Sequence, residues 1–256
     1  MKVVVCVKQV PDPNGAGELD PATHLLRRDG EVVLDPGDEF GIEAGLALAE
    51  SAGGEVVVLS MAPERGLDAI RKALAMGASK GILVSDEALR GSDAVTTARV
   101  LARAIEREGF DVVVTATEST DGYTGVVPQA LAELLGVPAL TYARSIEVDG
   151  DAIRIQRQTE AGHDNVEATL PAVVSVTAGV NEPRYPSLKG IMAAKSKPVD
   201  RPTLGDLGLS GAGGATAGQQ IVSVVPAEQR KAGEVIEDDG TAAQRVVAFL
   251  ERLKVV

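Results

Sequence analysis

Runs of small, branched apolar residues alternate with stretches of helical periodicity over the first two thirds of the chain, and this alternation limits the fold more than any other feature. Four such runs are predicted strands, at residues 3–7, 55–61, 81–84 and 111–117. They are mostly apolar without a polar face, which is typical of strands that helices cover on both sides. We therefore predict an α/β fold with a doubly wound, mainly parallel, Rossmann-like sheet.

Helices are predicted between these strands. Their ranges are residues 39–50, 63–76 and 92–107, with a fourth helix around residues 131–135. Asp35 or Asp38 is available to cap the first helix and Ser92 the third, because short polar side chains accept hydrogen bonds from the free amides at a helix start. Glycines that follow each of these helices predict where it ends.

Two regions depart from the parallel pattern. Residues 25–28 and 31–34 flank Asp29-Gly30, a pair that favours a tight turn, so a hairpin outside the main sheet is predicted there. After residue 144 the periodicity changes to two. The strands predicted from it, which we expect to extend the sheet as antiparallel members around a turn at Asp149-Gly150, are residues 145–148, 152–159, 165–169 and 172–176.

The last fifth of the chain has a different composition. Small, uncharged residues predict a flexible linker over 209–220. Beyond the linker, at 221–256, lie a strand candidate at 221–225 and an amphipathic helix at 241–255. We predict one α/β domain over 1–208, then the linker, then a C-terminal arm that packs on this domain or on another subunit.

Side chains suited to catalysis are scarce. The chain has two histidines, His24 and His163, without metal-ligand spacing, and a single cysteine, Cys6, inside an apolar run. Neither a nucleophile elbow nor a phosphate loop of the Gly-x4-Gly-Lys type occurs. We expect no metal site and no bond-making catalysis by this chain, because such a sequence is better suited to binding or carrying a ligand.

Charge and hydropathy limit the partners. The formal net charge of −12 argues against nucleic-acid binding, because phosphate backbones are bound by basic surfaces. One cysteine suits a reducing compartment. No apolar run is long enough to cross a bilayer, and the first residues do not resemble a secretory signal. We expect a cytoplasmic protein of bacterial type, without a targeting segment and without direct membrane insertion.

Ligands of open α/β sheets bind beyond the carboxyl ends of the strands, which makes residues 8–12, 35–38, 60–63 and 118–126 candidate loops. The last of these joins a strand to a helix and contains two glycines and several hydroxyls. Those groups can surround a phosphate at the helix start, although an Asp-Gly turn with Ser and Thr caps explains the same residues. Cys6 and Met61 are candidates either for an adenine pocket or for ordinary core positions.

A motif near residue 190 has a more specific composition. It contains Asn181-Glu182-Pro183-Arg184-Tyr185, then Ser187-Leu188, then Gly190-Ile191-Met192, and it ends at Lys195. This motif closely resembles that of electron transfer flavoprotein beta subunits, the small subunits of a heterodimer. Shorter matches at residues 7–12, 69–78 and 118–122 extend the resemblance over residues 1–208.

The resemblance implies a partner-recognition loop at 182–195, in which Leu188 anchors the carrier in an apolar pocket of partner dehydrogenases. Ser187 can cap a short helix that holds this leucine outward. Arg184 and Lys195 would attract acidic rims on those partners. The remaining predicted docking residues are Glu182, Tyr185, Ile191 and Met192.

The resemblance also implies an adenine-nucleotide alpha-hydrolase-like fold and two cofactors. An FAD would be shared with, and mostly held by, the alpha subunit, and an AMP would be buried in this chain. The implied cofactor contacts are Cys6, Asp35, Pro36, Gly37, Asp38, Met61, Ala116, Ser119, Asp121, Gly122, Thr124, Gly125, Val126 and Val127. Where some AMP-binding members have Asn-Gln-Thr-Gly, this chain has Gly125-Val126-Val127-Pro128, which leaves more phosphate binding to backbone amides.

The function implied is electron transport from acyl-CoA and other flavin dehydrogenases to an electron transfer flavoprotein–quinone oxidoreductase of the respiratory chain, as in fatty acid beta-oxidation. Two alternatives stay open. A second FAD in the AMP groove would make the chain the NADH-oxidising subunit of a flavin-bifurcating relative. A stand-alone adenine-nucleotide sensor of similar topology would leave the recognition loop and the tail without a role.

Overall fold

The computed structural model describes residues 1–15, 17–225, 233 and 235–255. The chain divides into two compact units, Met1–Ile221 and Val222–Val256. The strands are β1 (Lys2–Cys6), β2 (Gln9–Pro11), β3 (Val32–Leu34), β4 (Glu55–Met61), β5 (Lys80–Val84), β6 (Val112–Ala116), β7 (Ala139–Asp149), β8 (Ala152–Thr159), β9 (Gly162–Thr169), β10 (Ala172–Val176) and β11 (Val199–Asp200). The helices are α1 (Pro36–Ala52), α2 (Leu67–Met76), α3 (Ala94–Glu108), α4 (Val127–Leu135), α5 (Leu188–Ala194) and α6 (Ala242–Arg252).

Nine strands form one sheet in the order β11-β5-β4-β1-β6-β10-β7-β8-β9. Every neighbouring pair from β11 to β7 is parallel, and β7, β8 and β9 pair antiparallel. This confirms the predicted α/β class and the mainly parallel sheet with antiparallel additions. No helix among the described stretches of chain has the length and apolar character needed to cross a membrane.

Helices cover the central strands on both faces, which explains the continuous apolar runs. Val3 and Val5 of β1 pack with α1 and α2 in one cluster. Val4, which points to the opposite face, packs in a second cluster with α3 and α4. The two faces of the sheet are called the α1 side and the α3 side below.

The helix ends follow from capping residues, with one correction. Asp35 caps α1 as predicted, since its side chain accepts from Gly37 N, and Gly53 ends the helix in the left-handed region at φ +67°. Asp93, rather than Ser92, caps α3: its carboxylate accepts from Thr96 N at 2.7 Å. The Ser92 hydroxyl instead donates to Leu89 O at 2.7 Å, so it serves the preceding turn.

Two predictions about strand pairing were wrong. Residues 25–28 do not pair with β3. The strand that pairs antiparallel with β3 is β2, which follows β1 directly. β10 is not an antiparallel addition but lies between β6 and β7 and is parallel to both. All five of its residues are buried, as a strand covered on both faces requires. The β7–β8 turn is Gly150-Asp151, one residue later than predicted.

The segment predicted as a linker lies within the first compact unit, Met1–Ile221, and the predicted domain boundary at 208 stays a prediction. Ala212 is buried, and Gly214 N donates to Arg90 O at 2.9 Å. A Cβ on Gly213 would lie 1.6 Å from Ala88 O, so the small residues here allow a close approach between two backbones. Whether this segment is flexible stays a prediction.

The C-terminal unit contains α6, which confirms the predicted helix within 241–255. Residues 221–225 do not form the predicted strand. Residues 226–232, 234 and 256 of the predicted arm lie outside the described residues. The packing of the arm on a partner subunit or on the α/β domain therefore stays a prediction.

Candidate functional site

The candidate site lies where the chain reverses direction across the sheet. β1 is flanked by β4 on one side and β6 on the other, so the carboxyl ends of β1 and β6 border a topological switch point, the usual place for a ligand in such sheets. Three segments meet there: residue 8 after β1, the first turn of α1, and residues 118–126 after β6. Side-chain hydrogen bonds join all three segments.

Two buried aspartates at the start of α1 make most of these bonds. Asp35 accepts from Thr120 N at 2.8 Å and from Thr120 Oγ1 at 3.1 Å, in addition to its capping bond with Gly37 N. Asp38 accepts from Lys8 N at 2.6 Å. Burial raises the pKa of Asp38 well above its usual range, and the negative charge of Asp35 raises it further. The predicted residues Asp35 and Asp38 thus hold the two neighbouring loops in place.

Asp121 is the centre of a charge cluster that the sequence did not predict. Its side chain is only 3% exposed and is paired with Lys8 Nζ at 2.7 Å and with the guanidinium of Arg28. Lys8 Nζ also donates to Ser119 Oγ at 3.2 Å. Burial opposes ionisation of Asp121, but the positive charges of Lys8 and Arg28 outweigh it and lower its pKa. The carboxylate of Asp121 therefore binds two cations of the chain itself, and its predicted contact with a cofactor stays a prediction.

The rest of this loop leads into the start of α4. Gly125 has a φ of +65°, a conformation in which glycine is favoured, and a Cβ on it would lie 3.3 Å from Glu118 Oε2. Val126 precedes α4 and carries no side-chain oxygen that could cap it. Pro128 has no amide proton, so the amides of Val127 and Gln129 are the ones that this helix start offers to an anion. Gly122 and Thr124 lie in the same loop, and a Cβ added to Gly122 would lie 3.6 Å from Thr124 Oγ1.

Three predicted residues line the α3 side of the sheet close to this loop. Cys6, Met61 and Val127 all pack against the second apolar cluster and are partly buried. Burial, with a smaller contribution from the charge of Asp38, raises the pKa of the Cys6 thiol to about 12, so the thiol is neutral. These three side chains pack against the same cluster and are called the apolar wall below; adenine rings commonly pack against apolar side chains of this kind.

Thr115 supplies a polar atom in this wall that sequence reasoning missed. It lies two residues from Val113, which belongs to the second cluster, so both face the α3 side. Its hydroxyl is buried and has no hydrogen-bond partner among the residues described. Buried hydroxyls are normally paired, and those of Ser60 and Thr96 are unpaired among the described residues as well. No sequence signal marked Thr115, because it sits inside an apolar strand.

A cavity lies on the α1 side. It is an open cleft of about 780 Å³ lined by Gly37, Ala116, Thr117, Glu118, Tyr142, Gln158, Thr159, Glu160, Val176, Thr177, Ala178 and Gly179. Gly37 and Ala116 are predicted site residues, and a Cβ on Gly37 would lie 3.3 Å from the Cβ of Ala116. The residues from β7, β8 and β10 were missed because β10 was not expected beside β6. Tyr142 has a φ of +58°, a backbone conformation that is uncommon for a bulky residue and concentrated at functional sites.

The predicted recognition loop is built on α1 and α2. Ser187 caps α5, since its Oγ accepts from Gly190 N at 3.0 Å. Leu188, Ile191 and Met192 follow at helical spacing on one stripe, and Leu188 is 83% exposed. Tyr185 is 95% exposed beside them. Leu188 therefore stands outward, as expected of an anchor. Glu182 and Lys195 are exposed as well.

The sequence suggested that the positive charge of Arg184 attracts acidic partners, but the structure pairs its guanidinium with two carboxylates of α1. Its Nε and Nη2 donate to Glu43 of α1 at 2.7 and 2.9 Å, and its Nη1 donates to Glu50 at 2.6 Å. These bonds lower the pKa of Glu43 and of Glu50 and raise that of Arg184. Asn181 Nδ2 also donates to Phe40 O at 3.0 Å. Arg184 therefore fastens the recognition loop to α1.

Comparison with known proteins agrees with this geometry. The family model for the electron transfer flavoprotein domain matches residues 23–207. The electron transfer flavoprotein subunit beta of Mycobacterium leprae is 42% identical over 263 aligned residues, which cover 99% of each chain. That of Thermoanaerobacterium thermosaccharolyticum is 34% identical over 99% of this chain and 98% of the relative. Subunit CarD of the caffeyl-CoA reductase-Etf complex of Acetobacterium woodii is 36% identical over 82% of this chain and 81% of its own.

A large, mainly parallel α/β sheet with a candidate site at its switch point defines the class of Rossmann-like α/β proteins. Within that class, the chain belongs to the electron transfer flavoprotein family, as a beta subunit. Membership implies an alpha subunit as partner, association with a flavin, and a role in electron transport.

Proposed function

We propose that this chain is the docking and nucleotide-holding half of a heterodimeric electron carrier. It would accept electrons from acyl-CoA and other flavin dehydrogenases through an FAD shared with the alpha subunit. The carrier would pass them to a quinone oxidoreductase of the respiratory chain. The observation that carries the proposal is the exposure of Leu188 at the start of a capped helix, beside Ile191 and Met192.

The size of this anchor suits a partner that binds and leaves repeatedly. Burying one leucine contributes about 1.5–3 kcal/mol, which corresponds to roughly ten- to a hundredfold in affinity. A short stripe of three apolar side chains is too small for a permanent interface, which usually buries far more surface. Lys189 and Lys195 flank the stripe and are exposed, so they favour partners with an acidic rim.

The nucleotide part of the proposal concerns AMP. The wall of Cys6, Met61 and Val127 fits an adenine ring, the free hydroxyl of Thr115 fits its polar edge, and the start of α4 fits a phosphate. When bound, the shared FAD supplies the redox chemistry. The residues of this chain contribute packing, hydrogen bonds and water exclusion around it.

The test uses the heterodimer produced together with its alpha subunit and an acyl-CoA dehydrogenase, with the carrier as the varied substrate. Leu188→Ala should raise the KM for the carrier about tenfold or more, while flavin and nucleotide contents keep their wild-type values. Leu134→Ala is the matched control, because Leu134 is an exposed leucine of α4, on the opposite face of the sheet. Equal kinetics for Leu188→Ala and the wild type would refute the docking role.

A second candidate is favoured by the open cleft on the α1 side: Glu118, the first residue of the loop at 118–126, lines it, so a ligand larger than AMP has room there as well. In it, a second FAD takes the place of AMP and the chain is the NADH-oxidising subunit of a flavin-bifurcating complex. The cofactor content of the purified heterodimer separates the two candidates. One flavin plus one AMP supports the simple carrier, and two flavins with bleaching by NADH support the bifurcating one.

A further inference from the structure

The helix that carries the anchor lies against the C-terminal end of α2. Gly190 marks the closest approach, because a Cβ there would lie 2.3 Å from Ala75 O. Ala194, at the end of α5, is 4% exposed and belongs to the same apolar cluster as Ala73 and Leu74 of α2. One face of α5 is therefore fixed to the α/β domain, and the stripe of Leu188, Ile191 and Met192 is turned away from it.

Lys197 joins the residues after α5 to the end of α2. Its Nζ donates to Leu74 O at 2.8 Å and to Ala78 O at 2.6 Å. Carbonyls at a helix end lack partners within the helix and form the negative end of its dipole. A lysine there donates hydrogen bonds to these carbonyls and also brings a positive charge to that end. Burial lowers the pKa of this amine, which shows that its charge is held partly out of water.

Arg71 makes the reciprocal connection from α2 to α5. Its Nη1 donates to Ala194 O and, at 2.9 Å, to Lys197 O. A side chain of α2 thus holds carbonyls at the end of α5 and just after it, while Lys197, two residues beyond the recognition loop, holds one carbonyl in the last turn of α2 and one just after that helix. Two such connections in opposite directions fix both the position and the rotation of α5.

We propose that Lys197 and Arg71 are positioning residues for docking, which hold the apolar stripe in its binding orientation before a partner arrives. This inference rests on the proposed docking function. A loop that must be ordered during binding costs affinity, whereas a preorganised one does not. Because the redox groups are untouched, the loss of either side chain should weaken the encounter with the dehydrogenase without slowing electron transfer inside the complex.

The experiment measures KM and kcat for the heterodimer as substrate of an acyl-CoA dehydrogenase. Lys197→Met keeps the aliphatic stem and removes the donors, so the KM for the carrier should rise about three- to tenfold at unchanged kcat. Lys197→Arg keeps a cation with several donors and should restore most of the wild-type KM. Arg103→Met removes an exposed cation of α3 and should leave both constants unchanged.

Salt separates positioning from simple charge attraction. Attraction between exposed charges is screened at 0.5 M salt, where the Debye length falls to roughly 4 Å, whereas a misplaced helix stays misplaced. The KM ratio of Lys197→Met to wild type should therefore persist at high salt. A ratio that falls to one at high salt, or a folded Lys197→Met with wild-type KM, would overturn the inference.

Two further variants keep the result interpretable. If Lys197→Met does not yield a folded heterodimer, Arg71→Met is judged by the same criteria. Leu188→Ala distinguishes the two proposals: wild-type kinetics for that variant would remove the docking function itself. A raised KM for Leu188→Ala together with wild-type kinetics for Lys197→Met and Arg71→Met would overturn only the positioning role.

Discussion

Asp35 offers the sharpest test of how the site is assembled, because one buried carboxylate serves both a helix and a loop. Asp35→Ala removes the cap of α1, which typically contributes about 1 kcal/mol. It also leaves the amide of Thr120 without its acceptor, at a cost of about 1–3 kcal/mol for a buried donor. Part of this loss is offset, because the charge of Asp35 no longer opposes ionisation of its neighbour Asp38.

We expect a net loss of about 2 kcal/mol in the free energy of unfolding, which for a chain of this length lowers the thermal midpoint by roughly 4–8 °C. The midpoint is measured by circular dichroism on the heterodimer. Asp86→Ala is the control. Asp86 is an exposed capping residue whose side chain accepts one hydrogen bond, from Ala88 N at 2.8 Å. Its replacement should lower the thermal midpoint by no more than about 4 °C. Equal shifts for the two variants would show that the bond to Thr120 contributes nothing.

Two other substitutions test separate parts of the molecule. Arg184→Met should cost about 1 kcal/mol at neutral pH. Arg184 lowers the pKa of Glu43 and Glu50 from the ordinary value of 4.5. The difference in thermal midpoint between the variant and the wild type should therefore stay constant above about pH 4.5 and shrink as the pH falls below it. A difference that does not change with pH would contradict the ion pair. Thr115→Val should leave stability equal or higher but weaken AMP binding about two- to tenfold by calorimetry, and unchanged affinity would remove Thr115 from the pocket.

The parts of the fold that could be predicted are those with a strong local signal. Continuous apolar runs marked the parallel strands, and capping residues such as Asp35 and Ser187 marked helix starts within a few residues. β10 was misplaced because a short strand pattern does not say which neighbours cover it. Position in a sheet is decided by tertiary packing.

The candidate site was also predictable only in part, where its residues carry a local sequence signal. Cys6 and Met61 end neighbouring parallel strands, whose carboxyl ends must lie at one edge of the sheet, and Leu188 was marked by its motif. Arg28 was missed because it lies in an irregular loop 93 residues from Asp121, and no periodicity encodes such a pairing. Only the folded chain shows that Asp121 is bound internally.

Helix α1 holds both functional surfaces at once. Its first turn carries Asp35 and Asp38, which bind the nucleotide loop and Lys8, and later turns carry Glu43 and Glu50, which bind Arg184. A single residue inserted between Asp38 and Glu43 would turn the later acidic residues by about 100° and shift them by about 1.5 Å relative to the first turn. The length of one helix segment thus sets the spacing between the proposed docking surface and the candidate site at the switch point, and we expect an insertion there to disturb one of the two sets of contacts.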